Sequence, residues 1–583
     1  MLFRSGSGRA RAVAAECALA QGRFDDAIAL LEVVDRERPG PVDGVTVRLA
    51  LAEAVARKGD RARATSLLRT TWLERVGQRD RGVVEAALRA LDPAALVLTD
   101  AEREAEFTRL VAAGAYTAAR DALGSLPAPA TDAARLARLR TLADLAMQSR
   151  AYDEAASAYT RVFEFSHDDV DSYERARALV RAGDHGRALP LLDTIARTHA
   201  REPLGDDARY LAADVALGLD EPDRAIGYVA SVRGARANTL RLGLVLFALI
   251  KGDAALAKQH IDAVARVDDS FRETRATYLR ARIAELERHI DGASRVYRAL
   301  VAAEPFGYYG LIAATRLRAL GAEVALPTLT IGTRPAPPPL PEDVAFFHTL
   351  GLVDDAREAL RAAEPTLRRT LDLPGLVAMH LAIGSDARAY ALVRGDVTVS
   401  TTPPDERVRQ LLFAAYPRPY ETEVVAAASV LGIRPAHVYG TMRQESAYDP
   451  DARSRAGALG LLQVMPSTAR RVAETLGLSA DRADPFDPHT NVRLGIGEMA
   501  ALSARFDAQL PLVIAAYNAG SGRVSRWLPA GRSMPTDLFI YRIPFAETLG
   551  YVRRVLGHFA VYSAIEGREG DILGALRADV VGH

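Results

Sequence analysis

A small residue followed five positions later by alanine recurs through the first half of the 583-residue chain. The motif is clearest at five glycine–alanine pairs, Gly22/Ala27, Gly59/Ala64, Gly114/Ala119, Gly183/Ala188 and Gly252/Ala257. Weaker copies without the glycine begin at Arg150, Asp220 and Arg288, and successive copies start 32 to 37 residues apart except for one interval of 55. A repeat this short holds one supersecondary unit, which must stack on its neighbours to bury a core.

The period is near the roughly 34 residues of tetratricopeptide-type helix pairs. Glycine allows the first helix of a pair to end in a tight turn, and the small alanine allows the second helix to pack closely. Within one such second helix, Phe24, Ile28 and Leu31 fall at helical spacing on one face. The pattern therefore predicts a TPR-like α-superhelix, or solenoid, over residues 1–322. Such arrays bind peptides or proteins or simply shape a molecule, and we favour an architectural role.

The repeat pattern ends after Ala322, and composition then changes twice. Residues 304–310, an aromatic cluster, form the expected joint at the end of the array. Six prolines in residues 323–341 predict a stiff, extended linker, because proline blocks helix and favours polyproline II. Helical patterning over residues 342–415 predicts a small helical linker domain. Residues 416–583 read as short helices between polar loops and predict a separate domain, so the expected fold class is all-α.

Charge and cysteine content exclude several function classes. Lys+Arg and Asp+Glu number 74 each, and this balance gives no electrostatic footprint for nucleic acid. Cys17 is the only cysteine, which excludes disulfides within the chain and thiolate metal sites. Its alanine-rich helical surroundings predict a buried core thiol. No zinc or phosphate-binding motif is present, so we expect no metal and no cofactor. No stretch predicts a membrane span, and no export signal is visible.

One carboxyl group in the last domain lies in an unusual pattern. Pro435 predicts the start of a helix, on which Val438, Met442 and Glu445 share one apolar face. Burial of Glu445 on that face would raise its pKa and keep it protonated near neutral pH, which a general acid requires. The alternative is a structural ion pair with a nearby arginine, either Arg443 or Arg453. On this helix alone, the ion pair would be the better interpretation.

Four motifs that follow one another along the chain favour the general-acid interpretation of Glu445 over the ion pair. They are Glu445-Ser446, Gly460-Leu461-Leu462-Gln463, Ala516-Tyr517-Asn518-Ala519-Gly520 and Glu547-Thr548-Leu549-Gly550-Tyr551-Val552. Each motif alone is weakly specific, but together they resemble the catalytic domain of the soluble lytic murein transglycosylases, in the goose-type lysozyme-like superfamily. The resemblance spans residues 417–566. The helical array and linker domain also resemble the large soluble members, with less specificity.

The resemblance implies a reaction on peptidoglycan glycan strands. Members of this family cleave the β-1,4 bond between N-acetylmuramic acid and N-acetylglucosamine without water and leave a 1,6-anhydromuramyl end. The implied enzyme is a lytic exotransglycosylase, a carbon–oxygen lyase, although the sequence does not distinguish chain-end from internal cleavage. Glu445 would act first as acid and then as base. Asp449 and Asp451, which flank Pro450, are expected to be solvated, so one carboxyl group would serve both steps.

The remaining site residues follow from the resemblance, position by position. Ser446 would support the end of the Glu445 helix, and Tyr551 would hydrogen-bond Glu445. Glu547 would contact the stem peptide or favour a helix N-terminus. The implied substrate-binding residues are Ser454, Gln463, Met465, Tyr517, Asn518, Glu547 and Tyr551.

Two other functions remain open at this point. A muramidase of the same fold would use water as nucleophile, and a positioned water or second carboxylate would favour it. A catalytically silent wall-binding scaffold would use the repeats to recruit partners. Because the substrate of this family is the cell wall, the resemblance implies that the protein is located in the periplasm or cell envelope.

Overall fold

The computed structural model describes residues 3–37, 44–74, 81–266, 272–331, 335–395, 397, 406–454, 456–479, 484–528 and 533–582. Residues 332–334 of the predicted linker lie outside these ranges. The described residues form 32 α-helices and one two-stranded antiparallel sheet, so the all-α prediction is confirmed. None of these helices combines the length and apolar character needed to cross a membrane. The chain divides into two compact units.

The first unit comprises residues 1–167 and 339–370. A 3₁₀ turn, Pro93–Leu96, follows its fifth helix. Its helices are α1 (Phe3–Ala20), α2 (Phe24–Glu37), α3 (Gly44–Arg57), α4 (Arg61–Glu74), α5 (Arg81–Leu91), α6 (Asp100–Ala112), α7 (Tyr116–Gly124), α8 (Asp132–Gln148) and α9 (Tyr152–Ser166), and later α19 (Glu342–Thr349) and α20 (Val353–Leu367).

The second unit comprises residues 168–338 and 371–583. Its array helices are α10 (Asp169–Ala182), α11 (His185–Thr198), α12 (Pro203–Gly218), α13 (Pro222–Ser231), α14 (Gly234–Lys251), α15 (Ala254–Val264), α16 (Arg272–Leu286), α17 (Ile290–Ala303) and α18 (Tyr308–Ala319). Each helix from α10 to α17 packs against the next one along the chain.

The rest of the second unit contains the predicted catalytic segment. Three helices precede that segment: α21 (Leu373–Ala382), α22 (Asp386–Val393) and α23 (Glu406–Ala415). The segment itself contains α24 (Glu421–Leu431), α25 (Pro435–Glu445), α26 (Pro466–Thr475), α27 (Pro488–Arg505), α28 (Leu510–Ala519), α29 (Ser521–Trp527), α30 (Thr536–Arg542), α31 (Ala546–Ile565) and α32 (Glu569–Ala575). Strand β1 (Ser533–Pro535) pairs with β2 (Asp579–Val581), with Met534 opposite Val580. The predicted domain limits at 322, 341 and 415 stay predictions.

The repeat motif corresponds to one recurring turn and one recurring contact. All five motif glycines have positive φ, between 70° and 108°, and so do Arg150, Asp220 and Arg288, at 61°, 66° and 65°. The alanine five positions on is 0% exposed in every copy. The left-handed residue ends one helix, and the alanine brings the next helix close. In the long interval, α5 and the 3₁₀ turn supply the extra residues.

The prediction for Cys17 is wrong, because its thiol is exposed. Helix α1 buries Ala15 and Ala18 instead, which places residue 17 on its outer face. An alanine-rich helix has little amphipathic pattern, so the sequence did not show which face would be buried.

A single hydrophobic core extends from array helix α14 through α18 to the catalytic segment and β2. The joint predicted at residues 304–310 belongs to it, since Phe306, Tyr308 and Tyr309 are all buried. The catalytic segment therefore packs on the last helices of the array.

Candidate active site

Helix α25 begins with Pro435 at its first position and ends at Glu445. Val438 and Met442 are fully buried, which confirms the inward apolar face. The helix ends here because Ala447 and Tyr448 adopt left-handed conformations, with φ of 52° and 68°. Left-handed residues other than glycine are strained and cluster at functional sites. This turn leaves Glu445 at the helix end with a partly exposed side chain.

Gly440 allows α25 to approach α31 closely. A Cβ at this position would lie 3.1 Å from the backbone nitrogen of Phe559 and 3.4 Å from the carbonyl oxygen of Val555. Just beside this contact, the rings of Tyr439 and Tyr562 stack with centroids 5.3 Å apart. The close approach brings the residues of α31 within reach of Glu445.

Tyr551 on α31 donates a hydrogen bond from its hydroxyl to Oε1 of Glu445, at 2.7 Å. Burial raises the pKa of Glu445 to about 7, the hydrogen bond from Tyr551 lowers it, and the charge of Glu547 raises it. Burial also raises the pKa of Tyr551 well above its usual value, so the phenol keeps its proton and remains a donor. The carboxyl group is thus substantially protonated near neutral pH.

No cation in the described part of the chain pairs with Glu445, which removes the structural ion-pair interpretation. The Arg443 guanidinium lies instead over the rings of Tyr390 and Tyr416, 4.5 and 4.2 Å from their centroids. It also donates to the carbonyl oxygen of Ala415. Arg453 is 5.8 Å from the ring centroid of Phe486.

The two aspartates after the helix are exposed, as expected. The Asp449 carboxylate accepts a hydrogen bond from the backbone nitrogen of Asp451 at 3.0 Å, which forms a local turn. Neither residue contributes to the pKa of Glu445. Glu547 is the carboxylate that does, from an exposed position in the first turn of α31.

The Gln463 loop is held mainly by its own backbone and by one buried asparagine. The Gln463 amide nitrogen donates to the carbonyl oxygens of Ala452 and Gly460, at 3.0 and 2.8 Å. Asn491 on α27 is 0% exposed; it accepts from the Leu462 nitrogen and donates to the Leu459 carbonyl, both at 2.8 Å. Gln463 therefore shapes the loop through its nitrogen.

Three further predicted residues lie on the same segment. Ser446 follows the last residue of α25, and its hydroxyl donates to the Met442 carbonyl at 3.3 Å. The Ser454 hydroxyl accepts from the backbone nitrogen of Ala458 at 2.9 Å. Met465, at the start of α26, leaves 39% of its surface exposed, so it can contact a ligand.

Tyr517 and Asn518 connect this loop to α31. The Tyr517 hydroxyl donates to the Leu462 carbonyl at 2.8 Å, and the charge of Glu445 contributes to raising its pKa after burial. Asn518 accepts a hydrogen bond from the hydroxyl of Thr548 at 2.6 Å. The α28 helix ends directly after these residues at Ala519, with Gly520 at φ 88°. Four elements, α25, α28, α31 and the loop, thus converge on Glu445.

Sequence reasoning missed three positioning residues, Gly440, Asn491 and Thr548. Thr548 stands inside the last of the four motifs and Asn491 lies outside them, and both act through contacts with segments that are distant along the chain. For Gly440, the available signal was a glycine in the middle of a helix, which usually marks close packing.

The family model described as "Transglycosylase SLT domain" matches residues 424–540. The chain carries a transglycosylase SLT domain. The match contains the first three of the four motifs and confirms the resemblance that they carry. The matched range contains Glu445, Tyr517 and Asn518 and ends before Glu547 and Tyr551.

Curated relatives match the SLT domain rather than the whole chain. The soluble lytic murein transglycosylase of Escherichia coli K12 is 37% identical over 137 residues, which are 23% of this chain and 21% of that protein. The membrane-bound lytic murein transglycosylase D of the same strain is 35% identical over 116 residues, or 19% of this chain and 25% of that protein. The matched segment therefore spans about a quarter of the length of these relatives.

A likeness over nearly the whole length comes from a solved structure. Lytic transglycosylase Slt from Pseudomonas aeruginosa, solved as an inactive mutant, shares 22% identity and a TM-score of 0.52 over 94% of this chain and 87% of that one. This likeness shows the fold, a helical array followed by a lysozyme-like domain, as predicted.

Proposed function

We propose that the SLT domain cleaves peptidoglycan glycan strands by lytic transglycosylation, with Glu445 as acid and then base. The observation that carries this proposal is the Glu445 carboxyl group itself. It is buried enough that its pKa is about 7, it accepts a hydrogen bond from Tyr551, and no cation among the described residues holds it ionised. This is the environment of a general acid that works near neutral pH.

The proposed reaction needs one carboxyl group and no water. Glu445 donates its proton to the oxygen that links C1 of N-acetylmuramic acid to C4 of N-acetylglucosamine, and the C1–O bond breaks. The substrate N-acetyl oxygen stabilises C1, as in other substrate-assisted glycosidases. The C6 hydroxyl of the same muramyl ring then attacks C1, and its proton passes to the Glu445 carboxylate. Glu445 regains its proton, and the product is the 1,6-anhydro end.

Tyr551 supports both steps in this proposal. Its hydroxyl donates to Glu445 at 2.7 Å, and a hydrogen bond to a carboxylate is stronger than one to a neutral carboxylic acid. It therefore favours the ionised state that exists between the two proton transfers. Met465, Tyr517, Asn518 and Glu547 are the proposed contacts to glycan and stem peptide. Ser454 and Gln463 are proposed to hold the loop that faces the sugar.

The test is a digest of purified peptidoglycan, with products identified by mass spectrometry. Wild-type protein should release muropeptides lighter by one water than the reducing forms, and Glu445→Gln should release none. Glu423→Gln is a matched control that should leave activity unchanged, because the Glu423 carboxylate lies 3.0 Å from Nδ1 of His489 and Glu423 is not one of the predicted site residues.

Two other results would each replace the proposal. Reducing-end products that disappear in Glu445→Gln would establish a muramidase. Absence of products from a folded wild-type protein that sediments with the wall would favour a scaffold. We propose that this activity acts on the cell wall in the periplasm and that the array binds protein partners there.

A further inference from the structure

A buried arginine connects α31 of the SLT domain to the last helix of the array. Arg553 is 9% exposed, and its guanidinium lies 4.7 Å from the ring centroid of Tyr308, 5.9 Å from that of Tyr309 and 4.9 Å from that of Tyr541. The hydroxyls of Tyr309 and Tyr541 are hydrogen-bonded at 2.8 Å. We call these three rings the tyrosine cage. Tyr308 and Tyr309 begin α18, and Tyr541 belongs to α30.

A second buried contact fixes α30 to array helix α16. Asp537 is 2% exposed, and its Oδ2 accepts hydrogen bonds from the Tyr278 hydroxyl at 2.8 Å and from the Arg282 guanidinium at 2.9 Å. Arg282 also pairs with Glu285 at 2.7 Å, and Glu285 accepts from the hydroxyl of Tyr297 at 2.8 Å. Both α30 and α31 are therefore attached to the array by directional polar contacts inside the core.

Buried polar contacts such as those of Arg553 and Asp537 are not required for close packing of the helices. A buried cation loses its hydration, and an apolar side chain of similar volume is often at least as stabilising. An apolar side chain, however, has no preferred direction, whereas a guanidinium above aromatic rings is attracted to their faces and is held in one place. The tyrosine cage therefore fixes the position of α31 more narrowly than apolar packing would.

Helix geometry connects the cage to the acid. Arg553 follows Tyr551 by two residues, and at about 100° per residue their side chains leave opposite sides of α31. On one side of α31 the Tyr551 hydroxyl donates a hydrogen bond to Glu445, and on the other side the Arg553 guanidinium lies over the ring of Tyr308 in the tyrosine cage. Gly557, one turn further on the cage side, lies so close to the array that an added Cβ would be 3.2 Å from the Phe306 carbonyl oxygen. A shift of α31 on the array would move the Tyr551 hydroxyl relative to Glu445.

We propose that Arg553, held in the tyrosine cage, is a positioning residue through which the end of the array keeps Tyr551 on Glu445. The role in catalysis rests on the proposed function. In this view the array is part of the catalytic machinery, because the last pair of array helices sets the geometry of a residue that touches the acid.

A double-mutant cycle in the full-length chain tests the coupling. Arg553→Leu should lower kcat on peptidoglycan about 10-fold and change KM less than about twofold, because the defect lies in proton transfer and not in binding. In the Tyr551→Phe background the same change should lower kcat less than about twofold, since the contact through which it acts is already lost. Arg553→Lys should restore most of the activity, because it retains a cation between the rings.

Equal losses from Arg553→Leu in both backgrounds would overturn the proposal and leave the proposed function intact. Arg577→Leu is the matched control, because Arg577 forms a surface ion pair with Asp507 at 2.9 Å in the same domain, and it should leave kcat unchanged. If Arg553→Leu does not fold, Tyr541→Phe removes only the hydroxyl that pairs with Tyr309, and it should show the same dependence on Tyr551.

A readout without substrate separates this proposal from the proposed function. Carboxyl-¹³C labelling of glutamate, with the Glu445 signal assigned from Glu445→Gln, gives the pKa of Glu445 directly. Tyr551→Phe should raise that pKa, and Arg553→Leu should raise it in the same direction, with no further rise in the double variant. An unchanged or lowered pKa in Arg553→Leu would overturn the positioning role even if the protein proved to have another activity.

Discussion

The two largest influences on the pKa of Glu445, burial and the hydrogen bond from Tyr551, act in opposite directions, and the charge of Glu547 adds a smaller upward contribution. Burial disfavours the carboxylate and raises the pKa to about 7, whereas the hydrogen bond from Tyr551 favours the carboxylate and lowers it. Removal of either influence should therefore move the pH dependence of the reaction in a known direction.

Tyr551→Phe should shift the basic limb of the kcat/KM profile to higher pH. The acid must be protonated for the first step, so activity falls as pH rises through the pKa of Glu445 near 7, and loss of the hydrogen bond raises that pKa. The maximal rate should also fall about 10- to 100-fold, because a hydrogen bond to a charged group is lost. A pH–rate profile on peptidoglycan measures both effects, and a limb that stayed in place would contradict the assignment of Glu445 as the titrating acid.

Glu445→Gln should be more stable than wild type at high pH. The folded protein binds this proton more tightly than the unfolded chain, because the pKa is about 7 in the folded protein and 4.5 for an ordinary glutamate. Wild type therefore keeps the associated stability below the unfolded pKa and loses it as pH rises through about 7, by about 3 kcal/mol in total.

Denaturant unfolding of both proteins between about pH 4 and pH 8 measures this difference. The two curves should be close at the acidic end and should separate as pH rises. Glu423→Gln should run parallel to wild type across the range. A constant offset between wild type and Glu445→Gln would show that Glu445 does not titrate in this window.

At the scale of secondary structure, the array repeats one device: a left-handed residue followed by a buried alanine. Five copies use glycine for the left-handed residue, but Arg150, Asp220 and Arg288 adopt positive φ with a side chain. A left-handed conformation is costly for residues that have a Cβ. These three copies should therefore be weaker than the glycine copies.

Arg288→Gly should stabilise the second unit by about 0.5–1 kcal/mol, since relief of the left-handed strain exceeds the entropy that glycine adds to the unfolded chain. Arg288 has φ of 65° and an exposed side chain, so little packing is lost. Gly183→Ala, at φ 86° between α10 and α11, should have the opposite effect. Urea unfolding measures the change in the free energy of unfolding of both variants. A loss of stability in Arg288→Gly would show that contacts of the Arg288 side chain stabilise the protein more than its left-handed backbone destabilises it.

At the scale of the molecule, the end of the array and the SLT domain share one core. Helices α14 to α18 contribute to the same hydrophobic cluster as α25, α28 and α31. The cluster formed by α10 to α14 is separate. The SLT domain should therefore unfold together with the helices that follow α14, whatever the limits of the family model.

Leu279→Ala tests this cooperativity. Leu279 lies on array helix α16 and is fully buried in the shared core, so the cavity should cost about 2–5 kcal/mol. Hydrogen exchange followed by mass spectrometry should then show faster exchange in α31, far along the sequence. Leu192→Ala makes a similar cavity in the separate cluster and should leave α31 protected. Unaltered exchange of α31 in Leu279→Ala would mean that the domain unfolds independently of the array.

Local sequence signals determined much of this protein. Glycine–alanine spacing predicted the recurrent turns, because a left-handed residue and a close helix contact each require a particular residue type at one position. The start of α25 at Pro435 and the inward face of Val438 and Met442 follow from local sterics and from helical periodicity. The motifs around Glu445 were sufficient to predict the family.

The family resemblance implied the hydrogen bond between Tyr551 and Glu445, but only the tertiary structure decided whether an arginine also pairs with Glu445. The Tyr551 contact joins residues 106 positions apart, and the choice between a free acid and an Arg443 ion pair depended on where Tyr390 and Tyr416 lie. The tyrosine cage around Arg553 likewise combines α18, α30 and α31. Sequence periodicity reports which face of a helix is buried, but pKa values and hydrogen bonds depend on which distant groups meet that face in the folded chain.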